Sequence, residues 1–130
     1  MSTTTETGEL RITGIDLVSY MVKDYPRAVA FYRDVLGLTP AREYPDDAGA
    51  EYQLGDGTTF GLWNPKGMMP WTPGVGVMFA VTDFPGAVRA ARERGARIEL
   101  ERETAVCFMA LLEDSEGNRV ILHKRKPGNA

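Results

Sequence analysis

The sequence predicts an α+β fold of two tandem β-α-β-β-β modules, because its two halves repeat one pattern. The segments "VKDYPRAV" and "VTDFPGAV" share Val-x-Asp-aromatic-Pro-x-Ala-Val, and their aspartates, Asp24 and Asp83, lie 59 residues apart. A second pair, "GTTFGLW" from Gly57 and "GNRVILH" from Gly117, repeats at a spacing of 60 residues. Two repeats at nearly the same spacing indicate a duplicated structural unit.

Each module opens with a strand and a helix. The strands are predicted over 15–22 and 75–81, where β-branched and aromatic residues cluster. Each helix follows an aspartate that can cap it, carries proline in its first turn and ends at a glycine. In the first helix, apolar residues recur at helical spacing as far as Leu36. The boundary residues are Asp24, Pro26 and Gly37 in the first helix and Asp83, Pro85 and Gly95 in the second.

Three short strands follow each helix. They are predicted over 40–44, 50–54 and 58–63 in the first module and over 97–101, 105–112 and 118–123 in the second. The turns "GDG" at 55–57 and "DSEG" at 114–117 are typical of hairpin connections. These strands complete the β-α-β-β-β unit in both halves.

The chain has the length of one domain. Its 130 residues predict a single domain over 10–126, with tails at 1–9 and 127–130. Within the domain, the predicted parts are module one at about 12–63, a linker at 64–74 and module two at about 75–124.

Composition narrows the class of protein. Hydrophobic residues make up 43% and charged residues 25% of the chain, and the net charge is −3, as is usual for a soluble globular protein. There is no basic excess to suggest nucleic acid and no apolar run near the roughly 18 residues of a membrane span. The N-terminus lacks a secretory pattern, and Cys107 is the single cysteine, which suits a reducing compartment. We therefore expect a cytoplasmic protein whose partners include neither nucleic acid nor membrane.

Two longer stretches carry a family resemblance. "VKD" followed by "AVAFYRDVLGL", and "EDSEGNRVIL" near the C-terminus, occur within the paired module pattern. Together they resemble the vicinal oxygen chelate superfamily, which includes glyoxalase I, extradiol dioxygenases, fosfomycin-resistance enzymes and bleomycin-binding proteins. The resemblance extends from about Ile12 to Lys124. It implies a curled mixed sheet, or cup, around a ligand or metal with the helices outside, and it specifies the fold better than the activity.

Strand alternation predicts which side chains face the cup. In the strand at 58–63, Phe60 and Leu62 are expected to face the helices, which leaves Trp63 on the other side with Thr59 and Gly61. The same reasoning on the other strands predicts these inward-facing residues: Leu17, Ser19, Met21, Gly76, Met78, Ala80, Arg119, Ile121 and His123, together with Glu51 and Gln53.

The resemblance also implies four metal-ligand positions. In this chain they are occupied by Leu17, Gly61, Gly76 and Ile121. None of these residues has a side chain that can bind a divalent ion, whereas a catalytic metal needs about three nitrogen, oxygen or sulfur ligands. The sequence therefore predicts a protein without metal or cofactor. A metal site displaced from these positions, with Glu51 and His123 as ligands, remains an alternative.

His123 is the only histidine and lies two residues beyond the last of these positions, on the same strand face. It can be a strand-end residue that packs and hydrogen-bonds, or a ligand-contacting or acid–base group at the rim of the cup. His123 and Glu51 are the only catalytic candidates. Glu51 can equally be a solvated strand residue, and Arg119 can be a surface residue or a contact for an anion.

The apolar residues of the cup suggest a ligand. Met21, Met78 and Trp63 are predicted to share its concave face, where methionine adapts to an irregular shape and the indole offers a stacking surface. The alternative is that they fill the cup as core. The set of predicted ligand-binding residues is Trp63, His123, Met21, Ser19, Met78, Arg119 and Glu51.

Two functions follow from this set. The favoured one is a metal-free protein that binds an aromatic or drug-like small molecule, in the manner of the bleomycin-binding members. The alternative is a lyase, isomerase or dioxygenase-like enzyme, either metal-independent or with displaced metal ligands.

The linker carries apolar residues that are expected to be exposed. Met68, Met69 and Trp71 are predicted either to form a dimer contact or to cover the mouth of the cup. Because many proteins of the superfamily are dimers, we expect a homodimer.

Overall fold

The computed structural model describes residues 10–128 and contains two β-α-β-β-β modules in series. The first comprises β1 (Val18–Met21), α1 (Tyr25–Asp34), β2 (Arg42–Tyr44), β3 (Gly49–Gln53) and β4 (Thr59–Trp63). The second comprises β5 (Val77–Ala80), α2 (Phe84–Glu93), β6 (Ile98–Glu103), β7 (Cys107–Glu113) and β8 (Arg119–Arg125). The predicted fold class is confirmed. The predicted tail at 1–9 and the last two residues of the chain lie outside the described residues.

Each module forms its own four-stranded mixed sheet. The strand orders are β1-β4-β3-β2 and β5-β8-β7-β6. In each sheet the first strand of the module pairs in parallel with the last, and the remaining pairs are antiparallel. The two sheets do not join into one closed surface.

The helices begin where the caps were predicted. The Oδ1 atoms of Asp24 and Asp83 accept hydrogen bonds from the backbone N–H groups of Arg27 (3.2 Å) and Gly86 (3.1 Å). The first helix ends at Asp34, two residues before the predicted periodicity ends at Leu36. None of the helices in the described range 10–128 is long and apolar enough to cross a membrane.

The core lies on the helix-facing sides of both sheets. Phe60 on β4 is fully buried, and its ring contacts Phe79 of the second module at a centroid distance of 5.0 Å. Around it, at 5.4 to 5.8 Å, lie the rings of Tyr20, Tyr32 and Tyr52. One aromatic cluster therefore spans the junction between the modules.

A polar network holds the same junction together. Asn118, which is completely buried, accepts a hydrogen bond from Gly74 N–H (2.7 Å) and donates to the Met21 carbonyl (3.1 Å) and to Asp114 Oδ2 (2.9 Å). Asp114 Oδ2 also accepts from the hydroxyl of Tyr32 (2.8 Å). Burial, followed by the nearby Asp114 carboxylate, raises the pKa of Tyr32, so this hydroxyl stays a donor. The acidic turn near the C-terminus thus joins the two modules.

Candidate ligand-binding pocket

A pocket of about 450 Å³ lies on the side of the first sheet that faces away from the helices. Its lining includes Leu17 and Ser19 at β1, Tyr44, Pro45 and Ala48 at the β2–β3 hairpin, Glu51 on β3, and Gly61 and Trp63 on β4. A volume of this size suits a small organic molecule, and the lining mixes aromatic and aliphatic groups with few polar ones.

Strand alternation and register bring these residues together. Phe60 and Leu62 are 0% and 1% exposed on the core side, so Gly61 and Trp63 face the pocket. In register, Gly61 lies between Ser19 on β1 and Glu51 on β3. A Cβ at Gly61 would lie 3.4 to 3.5 Å from side-chain atoms of Leu17 and Ser19, so glycine leaves the pocket floor open.

The β2–β3 hairpin forms one wall of the pocket, and the sequence reasoning missed it. Ala48 N–H donates to the Pro45 carbonyl (3.2 Å), and Asp46 and Asp47 between them have φ angles of 60° and 56°. These are the features of a type I′ turn, which makes a tight hairpin. The turn places Tyr44, Pro45 and Ala48 in the lining. The signal was present in the sequence as "YPDDA", a turn-forming stretch between two strands.

Glu51 is the acidic side chain of the pocket. Its Oε2 accepts a hydrogen bond from the Tyr44 hydroxyl (2.9 Å), and this bond raises the pKa of Tyr44. Arg42, the cross-strand partner of Glu51, lies with its guanidinium carbon 4.8 Å from the centroid of the Tyr44 ring. The pocket therefore combines an indole, a phenol and a half-buried carboxylate.

The other predicted ligand-binding residues divide between the two sheets. Met21 pairs in register with Trp63 on the first sheet but is not part of the pocket lining. Met78, Arg119 and His123 belong to the second sheet, where His123 lies between Ala80 and Met109 in register. Within one chain, Ser19, Glu51 and Trp63 share the pocket, and Met78, Arg119 and His123 do not.

The two catalytic candidates are separated in the same way. Glu51 is on β3 of the first sheet and His123 is on β8 of the second. The pocket that contains Glu51 does not include His123. In this pocket the carboxylate has a phenol as its neighbour instead of an imidazole.

The residues at the four implied ligand positions do not fit a metal. Leu17 and Ile121 carry aliphatic side chains, and Gly61 and Gly76 carry none. Within residues 10–128, no group of three or more His, Cys, Asp and Glu is placed to hold a metal ion. The functional groups of the pocket lining are the aromatic rings and hydroxyls of Trp63, Tyr44 and Ser19 and the carboxylate of Glu51.

The three apolar side chains of the linker differ in burial. Trp71 is half-buried, with the ammonium of Lys23 4.2 Å from its ring centroid. Met68 and Met69 are 77% and 47% exposed, and neither is part of the pocket lining.

Comparison with known proteins identifies the family to which this fold belongs. The model of the Glyoxalase/Bleomycin resistance protein/Dioxygenase superfamily matches residues 14–122. A search of curated proteins found no match. Among solved structures, the chain is similar to TnmS3, an antibiotic binding protein from Streptomyces sp. CB03234 (23% identity, TM-score 0.74, covering 91% of this chain and 100% of that one).

Two further structures show the same fold. One is a lactoylglutathione lyase from Agrobacterium tumefaciens (19% identity, TM-score 0.73, covering 88% of this chain and 95% of that one). The other is a glyoxalase / bleomycin resistance protein from Catenulispora acidiphila DSM 44928 (23% identity, TM-score 0.66, covering 85% of this chain and 98% of that one). Since the family model covers most of the chain, the resemblance found in the sequence is confirmed, and the protein belongs to the Glyoxalase/Bleomycin resistance protein/Dioxygenase superfamily.

Proposed function

We propose that the protein binds a planar aromatic or drug-like small molecule in the pocket of the first sheet, without a metal. The observation that carries this proposal is the pocket of about 450 Å³ that Trp63 and Tyr44 line. Aromatic side chains in a concave, mostly apolar site provide stacking surface for a flat ligand. The likeness to TnmS3, named as an antibiotic binding protein, supports a binding role.

Trp63 tests the proposal directly. An aromatic ligand should shift or quench tryptophan emission, and Trp63→Ala should weaken its binding by about tenfold or more, because an indole contributes both stacking and buried area. Fluorescence titration against a library of planar compounds measures both effects. Trp71→Phe is the matched control, because Trp71 is the other tryptophan and is not part of the pocket lining. Unchanged affinity in Trp63→Ala would show that the ligand binds elsewhere.

We also propose that this binding needs no metal, since the residues at the four family ligand positions cannot hold one. The purified protein is expected to contain no stoichiometric divalent metal, and ligand affinity is expected to be the same with and without EDTA. Elemental analysis and a repeated titration measure these quantities. About one zinc, nickel, iron or manganese per chain would contradict the proposal.

A homodimer is the proposed assembly. Met68 in the linker and Ile12 and Ile15 before β1 are 77%, 82% and 82% exposed, and large exposed apolar side chains favour association. Light scattering is expected to give twice the chain mass of 14.3 kDa. Met68→Ser should shift the equilibrium towards monomer, and a wild-type protein that is monomeric at high concentration would refute the dimer.

A further inference from the structure

We propose that the pocket selects a cationic aromatic ligand, with Glu51 as the residue that recognises its positive charge; this inference rests on the proposed function. Glu51 lies in the pocket wall with Trp63 and Leu17. Among the described residues its carboxylate accepts one hydrogen bond, from Tyr44 to Oε2, and Oε1 has no partner. A carboxylate oxygen that faces an aromatic pocket is an open acceptor for a ligand.

No ion pair within residues 10–128 neutralises this carboxylate. Arg42 is directly opposite Glu51 in the strand register, yet its guanidinium lies over the ring of Tyr44. Within residues 10–128, the ion pairs of the structure join Arg33 to Asp34, Arg92 to Glu101 and Lys126 to Glu103, and none involves Glu51. A bound cation would therefore be a new partner for Glu51.

The turn beside the pocket carries two further carboxylates. Asp46 and Asp47 form the turn between Pro45 and Ala48, which both line the pocket. One ammonium, that of Lys66, lies against this turn and donates to the backbone carbonyl of Asp46. The three carboxylates of Asp46, Asp47 and Glu51 outnumber the two cations beside them, Arg42 and Lys66, so the local charge favours a cationic ligand over an anionic one.

The chemistry of the lining then defines the ligand class. A protonated amine can donate a charge-assisted hydrogen bond to Glu51, and the electron-rich face of Trp63 attracts a cationic ring system. A neutral ring of the same shape offers Glu51 at most an uncharged donor, which compensates the carboxylate less well for its lost water. The carboxylate of Glu51 would repel an anionic ring. The order of affinity is therefore cation, neutral molecule, anion.

Three planar probes of one ring system test this order: proflavine as the cation, acridone as the neutral compound and acridine carboxylate as the anion. Equilibrium dialysis against the full-length protein is expected to show proflavine bound about tenfold to a hundredfold more tightly than acridone, the range of a hydrogen bond to a charged group. Acridine carboxylate should bind most weakly.

Variants assign the preference to Glu51. Glu51→Gln keeps an acceptor for Tyr44 and should lower proflavine affinity about tenfold to a hundredfold, so that proflavine loses its preference over acridone. Arg42→Gln removes the positive charge of the cross-strand partner of Glu51 and should tighten proflavine binding. Glu99→Gln, an exposed glutamate on β6 of the second sheet, is the matched control and should change neither.

The outcomes separate this inference from the proposed function. If proflavine and acridone bind equally in the wild type and both lose affinity in Trp63→Ala, the pocket is an aromatic site and charge selection is refuted. A proflavine preference that survives Glu51→Gln also overturns it. If no probe depends on Trp63, the proposed function fails and this inference fails with it.

Discussion

An Asn118→Ala variant is expected to lose about 3 to 5 kcal/mol of its free energy of unfolding. Asn118 is 0% exposed, and its amide joins Gly74, Met21 and Asp114 across the junction between the modules. Without the amide, the half-buried Gly74 N–H, the half-buried Met21 carbonyl and the buried Asp114 carboxylate each lose a partner. Urea denaturation followed by circular dichroism measures the change.

Asn64→Ala is the matched control for this variant. The amide of Asn64 also makes two backbone contacts, donating to the Lys23 carbonyl (3.2 Å) and accepting from Lys66 N–H (2.9 Å). Because Asn64 is only half-buried, water can replace its amide, and a loss of about 1 kcal/mol or less is expected. Equal losses in the two variants would show that the junction network contributes no special stability.

A Phe60→Ala variant is also expected to lose about 3 to 5 kcal/mol, because it leaves a cavity where the ring contacted four others. Those rings belong to Tyr20, Tyr32, Tyr52 and Phe79, and only the last is in the second module. Thermal and urea unfolding should show the loss as a lower midpoint.

Phe31→Ala removes the same side chain from a half-buried position on α1, where its ring contacts Tyr32 at 5.5 Å. A loss of about 1 to 2 kcal/mol is expected there, since the smaller buried area contributes less. If Phe60→Ala is no more costly than Phe31→Ala, the core is not centred on Phe60.

Local features of the chain were predictable because their causes lie within a few residues. Asp24 and Asp83 cap helices through N–H groups three residues later, so a short motif is enough to mark each start. Alternation likewise predicted that Phe60 and Leu62 face the core, which their burial confirms. The end of the first helix was less predictable, since apolar residues beyond Asp34 pack on the core without being helical.

The site was predictable only in part. Ser19, Glu51 and Trp63 were expected to share a face, and the structure places them in one pocket. Tyr44 was not expected there, because its position depends on how the turn at Asp46 and Asp47 folds β2 against β3. The hydrogen bond from Tyr44 to Glu51 joins two strands and could not be deduced from either strand alone.

The sequence by itself determined the duplication, the order of the elements and the core-facing side of β4, because repeats, caps and alternation are local properties. Only the tertiary structure decided that the two modules form separate sheets, so that Trp63 and His123, which are equivalent in the repeat, lie on different sheets. The physical reason lies where the modules meet: the hydroxyl of Tyr20 accepts from Val77 N–H (3.1 Å) and donates to the Arg119 carbonyl. These hydrogen bonds join residues 57 and 99 positions apart in the chain, and no local pattern encodes contacts of that range.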